Sequence, residues 1–268
     1  IGFDINIAGH AAGAPQSYLG VDNFGNNNSK NKIWAVPGLE KYHGKDIFLT
    51  QALSEEVLEK LNNFSTEYTE QLNPQLQNII KSAEKELAFT DMFSSSVELS
   101  MYQHIIETAK YKSVLELGMF TGLSTLAFAQ AIYKNWGKLG RVFTIEPNQR
   151  YINIAQPHFE NAENCCSIEV VNDYAKHVIP SINEQFDLIF IDGEHHYEFV
   201  KSDTLNVFKH LVHENTVVVW HDFKLSPEKI RFEVFAAILD SVPKEKHKNI
   251  YSVSNTLCAM YNPKSMIS

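Results

Sequence analysis

Val114-Leu115-Glu116-Leu117-Gly118-Met119-Phe120-Thr121-Gly122-Leu123-Ser124 is the stretch on which the fold turns. An apolar run carrying one acid ends at Gly118. Four residues later Gly122 opens a segment, Leu123 to Tyr133, of helical character. The reading is strand, turn, helix. Gly118 permits a tight turn where a side chain would collide with a ligand, and Gly122 lets the helix begin close to it. A dinucleotide site would read Gly-x-Gly-x-x-Gly, because a pyrophosphate lies against the helix N-terminus. Here the spacing is Glu-x-Gly-x-x-x-Gly, and the third glycine is missing.

The alternation continues downstream. Arg141 to Ile145 reads as a strand ending at Glu146-Pro147, and Arg150 to Phe159 as a helix. Ser167 to Val171 is a strand, Tyr174 to Ile179 a short helix, and Phe186 to Ile191 a strand ending at Asp192. Tyr197 to Leu211 is a helix, Thr216 to Trp220 a strand ending at His221-Asp222, and Glu228 to Leu239 a helix. Ile250 to Val253 and Thr256 to Tyr261 close the series as two strands around a tight turn at Ser254-Asn255. Strands apolar on both faces suit a buried parallel sheet. The pattern predicts an α/β fold: a doubly wound, Rossmann-like, mostly parallel seven-stranded sheet with helices on both faces and a C-terminal antiparallel hairpin.

Upstream, Ser54 caps a helical pattern through Leu61, and Pro74 opens another with Leu76, Ile79, Ile80 and Ala83 on one face. A third runs from about Ser96 to Lys110. Residues 54–110 are therefore a helical lead-in to a domain spanning 111–268. Residues 1–53, rich in Gly and Asn with turn signals such as Pro37-Gly38, form an irregular N-terminal segment.

Glu116, Glu146, Asp192 and Asp222 all fall at the carboxyl ends of expected strands, the edge where open α/β sheets bind ligands. A carboxylate at Glu146, on the strand after the glycine turn, is placed to accept hydrogen bonds from both hydroxyls of a ribose. Asp173 after the third strand has two readings, an acceptor for an amino group and a cap for the following helix.

The glycine segment resembles motif I of class I S-adenosylmethionine-dependent methyltransferases, and its wording is similar to that of catechol-type and caffeoyl-CoA-type O-methyltransferases. The stretch Asp192-Gly193-Glu194-His195-His196-Tyr197 resembles the Asp-Gly-x-His-x-Tyr pattern of related bacterial small-molecule methyltransferases. The likeness spans about Ser94 to Tyr261. It implies an S-adenosylmethionine site formed by Glu116, Gly118, Met119, Phe120, Thr121, Gly122, Ser124, Glu146, Asp173, Tyr174 and Asp192. It also implies methylation of a small-molecule hydroxyl. Three residues after Asp192 the O-methyltransferases usually carry a lysine that deprotonates the acceptor. Here His195 stands there, with His196 in reserve and Asp192 beside them as the catalytic set. A histidine, with an unperturbed pKa of about 6.5, suits that task near neutral pH. Asp203 on the next helix is a candidate to orient an imidazole.

In the metal-dependent branch of these enzymes, acids at the ends of the fourth and fifth strands hold magnesium. Asp192, His221 and Asp222 occupy those places. A histidine among them is more natural for manganese than for magnesium. The metal-free alternative has Asp222 position the acceptor by hydrogen bonds. Phe93, Trp34 and Tyr42 are candidates to line the acceptor pocket. The competing classes are a nicotinamide-dependent oxidoreductase, disfavoured by the missing glycine, and a non-catalytic module that keeps the binding fold.

Bulk properties narrow the partners. A net charge of −9 over 268 residues disfavours nucleic acid. No apolar run is long enough to span a bilayer. The sequence opens on Ile1 rather than Met, with no basic-then-apolar leader, and a preceding segment is compatible with it. Cys165, Cys166 and Cys258 lack zinc-type spacing and read as reduced thiols, so a cytoplasmic location is expected. A homo-oligomer is compatible with all of this.

Overall fold

The computed structural model describes residues 73–87, 93–226, 229–253 and 256–264. The expected helix after Ser54, the pocket candidates Trp34 and Tyr42, and the turn at Ser254-Asn255 lie outside the described residues.

Two helices precede the sheet. α1 spans Pro74–Glu86; its proline sits in the first turn, where a missing N–H costs nothing, and the Asn73 side chain accepts from the Gln75 N–H at 2.9 Å. α2 spans Ser96–Ala109 and begins with a capping box. Ser95 Oγ accepts from the Glu98 N–H, and Glu98 Oε2 accepts from Ser95 N–H at 2.8 Å. The chain leaves α2 through Lys110 in the left-handed region and enters β1, Ser113–Leu117.

The alternation then follows: α3 (Leu123–Trp136), β2 (Arg141–Ile145), α4 (Gln149–Glu160), β3 (Ser167–Val171), the short α5 (Ala175–Val178), β4 (Leu188–Ile191), α6 (Tyr197–His210) and β5 (Val217–Trp220). A small hairpin, β6 (Lys224–Ser226) with β7 (Lys229–Ile230), precedes α7 (Phe232–Ser241). β8 (Ile250–Ser252) and β9 (Ala259–Tyr261) finish the sheet, whose order is β3-β2-β1-β4-β5-β9-β8. β9 runs antiparallel to both β5 and β8, and the other pairs are parallel. The sheet is thus the seven-stranded, mostly parallel array with a closing hairpin that the periodicity predicts.

Several boundaries shift by one to four residues from expectation, two of them for a local reason. The last helix starts at Phe232 rather than near Glu228, because the β6–β7 hairpin takes up the preceding residues. β4 starts at Leu188 rather than Phe186, because Asp187 turns its carboxylate back on the start of β1. There Asp187 Oδ2 accepts from the Lys112 and Ser113 N–H groups at 2.7 and 3.0 Å.

Alternate residues of each strand feed two cores. Val114, Leu188, Phe190, Val217 and Val219 pack under α1, α2 and α3. Leu115, Leu117, Ile189, Ile191, Val218 and Trp220 pack under α6 and α7. Each fully buried large apolar side chain contributes about 1.5–3 kcal/mol before the entropy of ordering is counted. This double covering fixes the carboxyl edge of β1, β2, β4 and β5, where the site lies.

Candidate active site

The turn after β1 is set by the backbone. Gly118 has φ +91°, and a Cβ there would lie 2.3 Å from the Asp192 carbonyl oxygen and 2.5 Å from the Gly193 Cα. The chain's own β4 turn is an obstacle that demands glycine here. The same closeness lets the Asp192 N–H donate to Leu117 O at 2.8 Å, so both strand ends are joined. Gly122, φ +86°, caps α3, and a Cβ there would meet the Phe159 ring at 2.4 Å. It is needed for packing on α4.

Glu116 lies beneath this turn and is fully enclosed. Its carboxylate accepts hydrogen bonds from Ser124 at 2.6 Å, Thr125 at 2.5 Å and Thr144 at 2.7 Å. Burial pushes its pKa up to about 7 against the pull of those three hydroxyls. Glu116, through Ser124, Thr125 and Thr144, supports the loop from behind. Glu146 is buried at the end of β2 and accepts from the Phe120 N–H at 2.9 Å and the Asn148 N–H at 2.8 Å. Burial raises its pKa, and these donors oppose the shift. Phe120 holds φ +50°, and its ring lies 5.5 Å from Phe93 and 4.7 Å from Tyr151. Met119 is buried with Ile152 and Ala155, and Thr121 is enclosed with its Oγ1 lacking a hydrogen-bond partner. Asp173 accepts from the Tyr174 N–H at 2.7 Å and pairs with His177 at 2.8 Å, and Tyr174 is exposed.

The ends of β4 and β5 carry a second, ionic arrangement. His195 Nε2 lies 2.7 Å from Asp222 Oδ2. The His221 Nδ1 lies 3.1 Å from both Asp192 Oδ1 and Asp222 Oδ2, and its Nε2 lies 3.5 Å from Glu98 Oε1. Arg231, at the start of α7, donates from Nη2 to Asp222 Oδ1 at 3.1 Å. Asp222 reaches all of these from a left-handed turn, φ +51°, that aspartate tolerates better than most residues. Burial alone would lower the His221 pKa, but Asp192, Asp222 and Glu98 hold it well above the usual histidine range. Burial likewise opposes ionisation of Asp222, yet His195 and His221 keep its pKa well below the carboxylate range. Asp192 is raised by burial, with His221 pulling the other way. His196 turns aside, 3.8 Å from Glu194 and 3.8 Å from Glu233.

His195, Asp192, His221 and Asp222 are therefore brought together. Asp203 does not join them as an imidazole partner. Its carboxylate stands behind Gly193, where burial pushes its pKa to about 7, and Asp222 takes the place expected of it. Tyr197 is structural, donating to Asp240 on α7 at 2.7 Å. Glu98, Arg231 and Glu233 escaped the sequence reading. Only Glu98 left a signal there, the Ser95-x-x-Glu98 cap. Among the described residues, the donor atoms of Asp192, His221 and Asp222 lie within 4.8 Å of one another, as do those of Glu98, His221 and Cys258.

Residues 115–223 match a family model described as a methyltransferase domain. The chain is 29% identical over 127 residues to O-methyltransferase hkm8 of Aspergillus hancockii, covering 44% of this chain and 49% of that one. It is 30% identical over 96 residues to a catechol O-methyltransferase of Niastella koreensis, covering 34% and 42%. The chain spans about half the length of these curated relatives. Its fold is that of the SAH-bound Podospora anserina methyltransferase PaMTH1, with a TM-score of 0.58 at 15% identity over 78% of this chain and 95% of that structure. No helix among the described residues is long and apolar enough to cross a membrane.

Proposed function

We propose that this chain is an S-adenosylmethionine-dependent methyltransferase acting on a hydroxyl of a small molecule. One observation carries the reading: the glycine turn of β1 is joined to Asp192 on the same sheet edge where His195 meets Asp222 at 2.7 Å. A binding turn and a histidine–carboxylate pair share one crevice mouth.

When bound, S-adenosylmethionine supplies the electrophilic methyl group. The chain's part is alignment and proton removal. Gly118 to Gly122 gives the ligand close access to backbone, Glu146 offers its remaining lone pairs to a ribose, and Phe120 with Phe93 and Tyr151 forms an aromatic wall beside it. With Nε2–H donating to the ionised Asp222, His195 takes the acceptor proton at Nδ1, and uptake turns its contact with Asp222 into an ion pair. Arg231 and His221 keep Asp222 ionised for that purpose. His196, turned toward Glu194 and Glu233, has no part in the transfer.

Two carboxylates and an imidazole at Asp192, His221 and Asp222 also fit a divalent ion that accepts oxygen and nitrogen, manganese before magnesium. Such an ion would lower the pKa of an acceptor hydroxyl. The proton step at His195 stands without it. The three cysteines are free and buried, in keeping with a reducing cytoplasm.

Calorimetric titration of the full chain with S-adenosylhomocysteine, with and without EDTA, and in parallel with NADH, tests the cofactor class. Micromolar binding of the first and none of NADH is expected. Folded protein that ignores S-adenosylhomocysteine in both conditions would end the proposal. His195→Ala should keep that affinity and lose roughly 10²–10⁴-fold in turnover on a catechol acceptor.

A further inference from the structure

Glu98 lies outside the stretch that resembles a binding motif, at the third position of α2, yet it reaches the ionic half of the site. Its side chain is almost fully buried, and each oxygen has its own task. Oε2 accepts from the Ser95 N–H and Oγ, both at 2.8 Å, and so closes the helix cap. Oε1 accepts from the Leu257 N–H at 2.8 Å, next to β9, and lies 3.5 Å from His221 Nε2. The His221 ring is thus bracketed, by Glu98 behind and by Asp192 and Asp222 in front. Buried Cys258 and Tyr102, 3.3 Å from each other, close the space around Glu98.

We infer that Glu98 is a positioning residue: it fixes the His221 ring from the lead-in helix so that Nδ1 stays between Asp192 and Asp222. The inference rests on the methyltransferase reading for what that orientation is for. The geometry explains why one carboxylate is asked to do three things. A helix cap alone needs no second oxygen aimed at a β-hairpin and an imidazole. With the backbone N–H of Ser95 holding one oxygen and that of Leu257 the other, the carboxylate has little freedom to swing even without the Ser95 hydroxyl, so the ring inherits the rigidity of α2. In metal and acid–base sites alike, partners one contact removed from the chemistry typically change function by 10–100-fold.

Glu98→Gln keeps the size but offers one acceptor oxygen in place of two. Ser95→Ala removes the cap and leaves the Glu98 oxygen that faces His221. Long-range ¹H–¹⁵N spectra of the imidazoles, with the His221 signals assigned by their loss in His221→Gln, read the ring directly. Glu98→Gln should move the Nε2 resonance and lower turnover about 10–100-fold with S-adenosylhomocysteine affinity changed less than about twofold. Ser95→Ala should lower the melting temperature and leave ring and turnover near wild type. Because Glu98 acts through His221, the double variant Glu98→Gln/His221→Gln should lose no more turnover than His221→Gln alone. Wild-type spectra in Glu98→Gln, equal losses in Ser95→Ala and Glu98→Gln, or additive losses in the double variant would each overturn the inference. A ring shift confined to Glu98→Gln supports it even in a protein that fails to bind S-adenosylhomocysteine, a failure that would count against the proposed function instead.

Discussion

At the end of β1, Glu116 is sealed inside the fold, and three hydroxyls from α3 and β2 satisfy it. At the ends of β4 and β5, Asp192 and Asp222 sit among His195, His221 and Arg231, partly open to the crevice. Both regions place carboxylates at the same sheet edge, and Glu116 and Asp222 shift in opposite directions, Glu116 up and Asp222 down, while burial raises Asp192 beside Asp222. A carboxylate given only hydroxyls in a dry site resists ionisation. One given cations ionises readily even when buried. The first arrangement makes a rigid loop support, and the second makes a charged group available to chemistry.

The contrast breaks most visibly at Asp222. Asp222→Ala leaves Arg231 buried without its carboxylate, so a loss of about 3–5 kcal/mol in denaturant unfolding is expected, together with turnover. A loss below about 1 kcal/mol would mean that solvent already screens these charges and that the ionic half is no more than surface. On the other side, Gly118→Ala forces a side chain into the Asp192–Gly193 backbone at positive φ, with an expected cost of about 3 kcal/mol and loss of S-adenosylhomocysteine binding by calorimetry.

A pH series sharpens the comparison. Because the folded pKa of Glu116 is raised, its contribution to stability is complete below the unfolded value of 4.5 and is lost as pH rises through about 7. That loss amounts to about 3–4 kcal/mol. Glu116→Gln should remove this slope from urea midpoints measured across that window. Glu98 carries the opposite sign: its pKa is lowered to about 2, so its stabilisation is present above 4.5 and lost as pH falls toward 2. An unchanged slope in Glu116→Gln would show that the carboxyl ionises freely at the end of β1. The smallest effect belongs to Tyr197→Phe, which removes the bond to Asp240. About 1 kcal/mol should be lost, with turnover intact, and a turnover defect would move Tyr197 into the site.

The hydroxyl-lined half was legible in the sequence because its parts are local. Gly118, Gly122 and Ser124 follow Glu116 within one strand-turn-helix unit, and spacing alone announces the unit. The reason for Gly118 was not legible, since the backbone it must avoid arrives from Asp192 on another strand. The ionic half was legible only at its strand ends. His195 and Asp222 could be named, but their pairing depends on β4 and β5 lying side by side. Arg231 follows a two-strand hairpin too short for periodicity to show. Glu98 advertised itself as a helix cap, a signal that hides any second use of its other oxygen. Asp203 misled for the converse reason: it stands on the helix that follows the histidines, and its carboxylate lies behind Gly193.

β9 has a consequence for how the molecule is made. It is the last strand in the described chain, yet it sits inside the sheet, hydrogen-bonded to β5 on one side and β8 on the other. A ribosome adds residues from the N-terminus, so β1 to β5 emerge with their outer edge unpaired and the Glu98 oxygen waiting for Leu257. During synthesis the nascent protein therefore passes through a stage in which that open edge can pair with a neighbour, and insertion of residues 259–261 is the step that ends it.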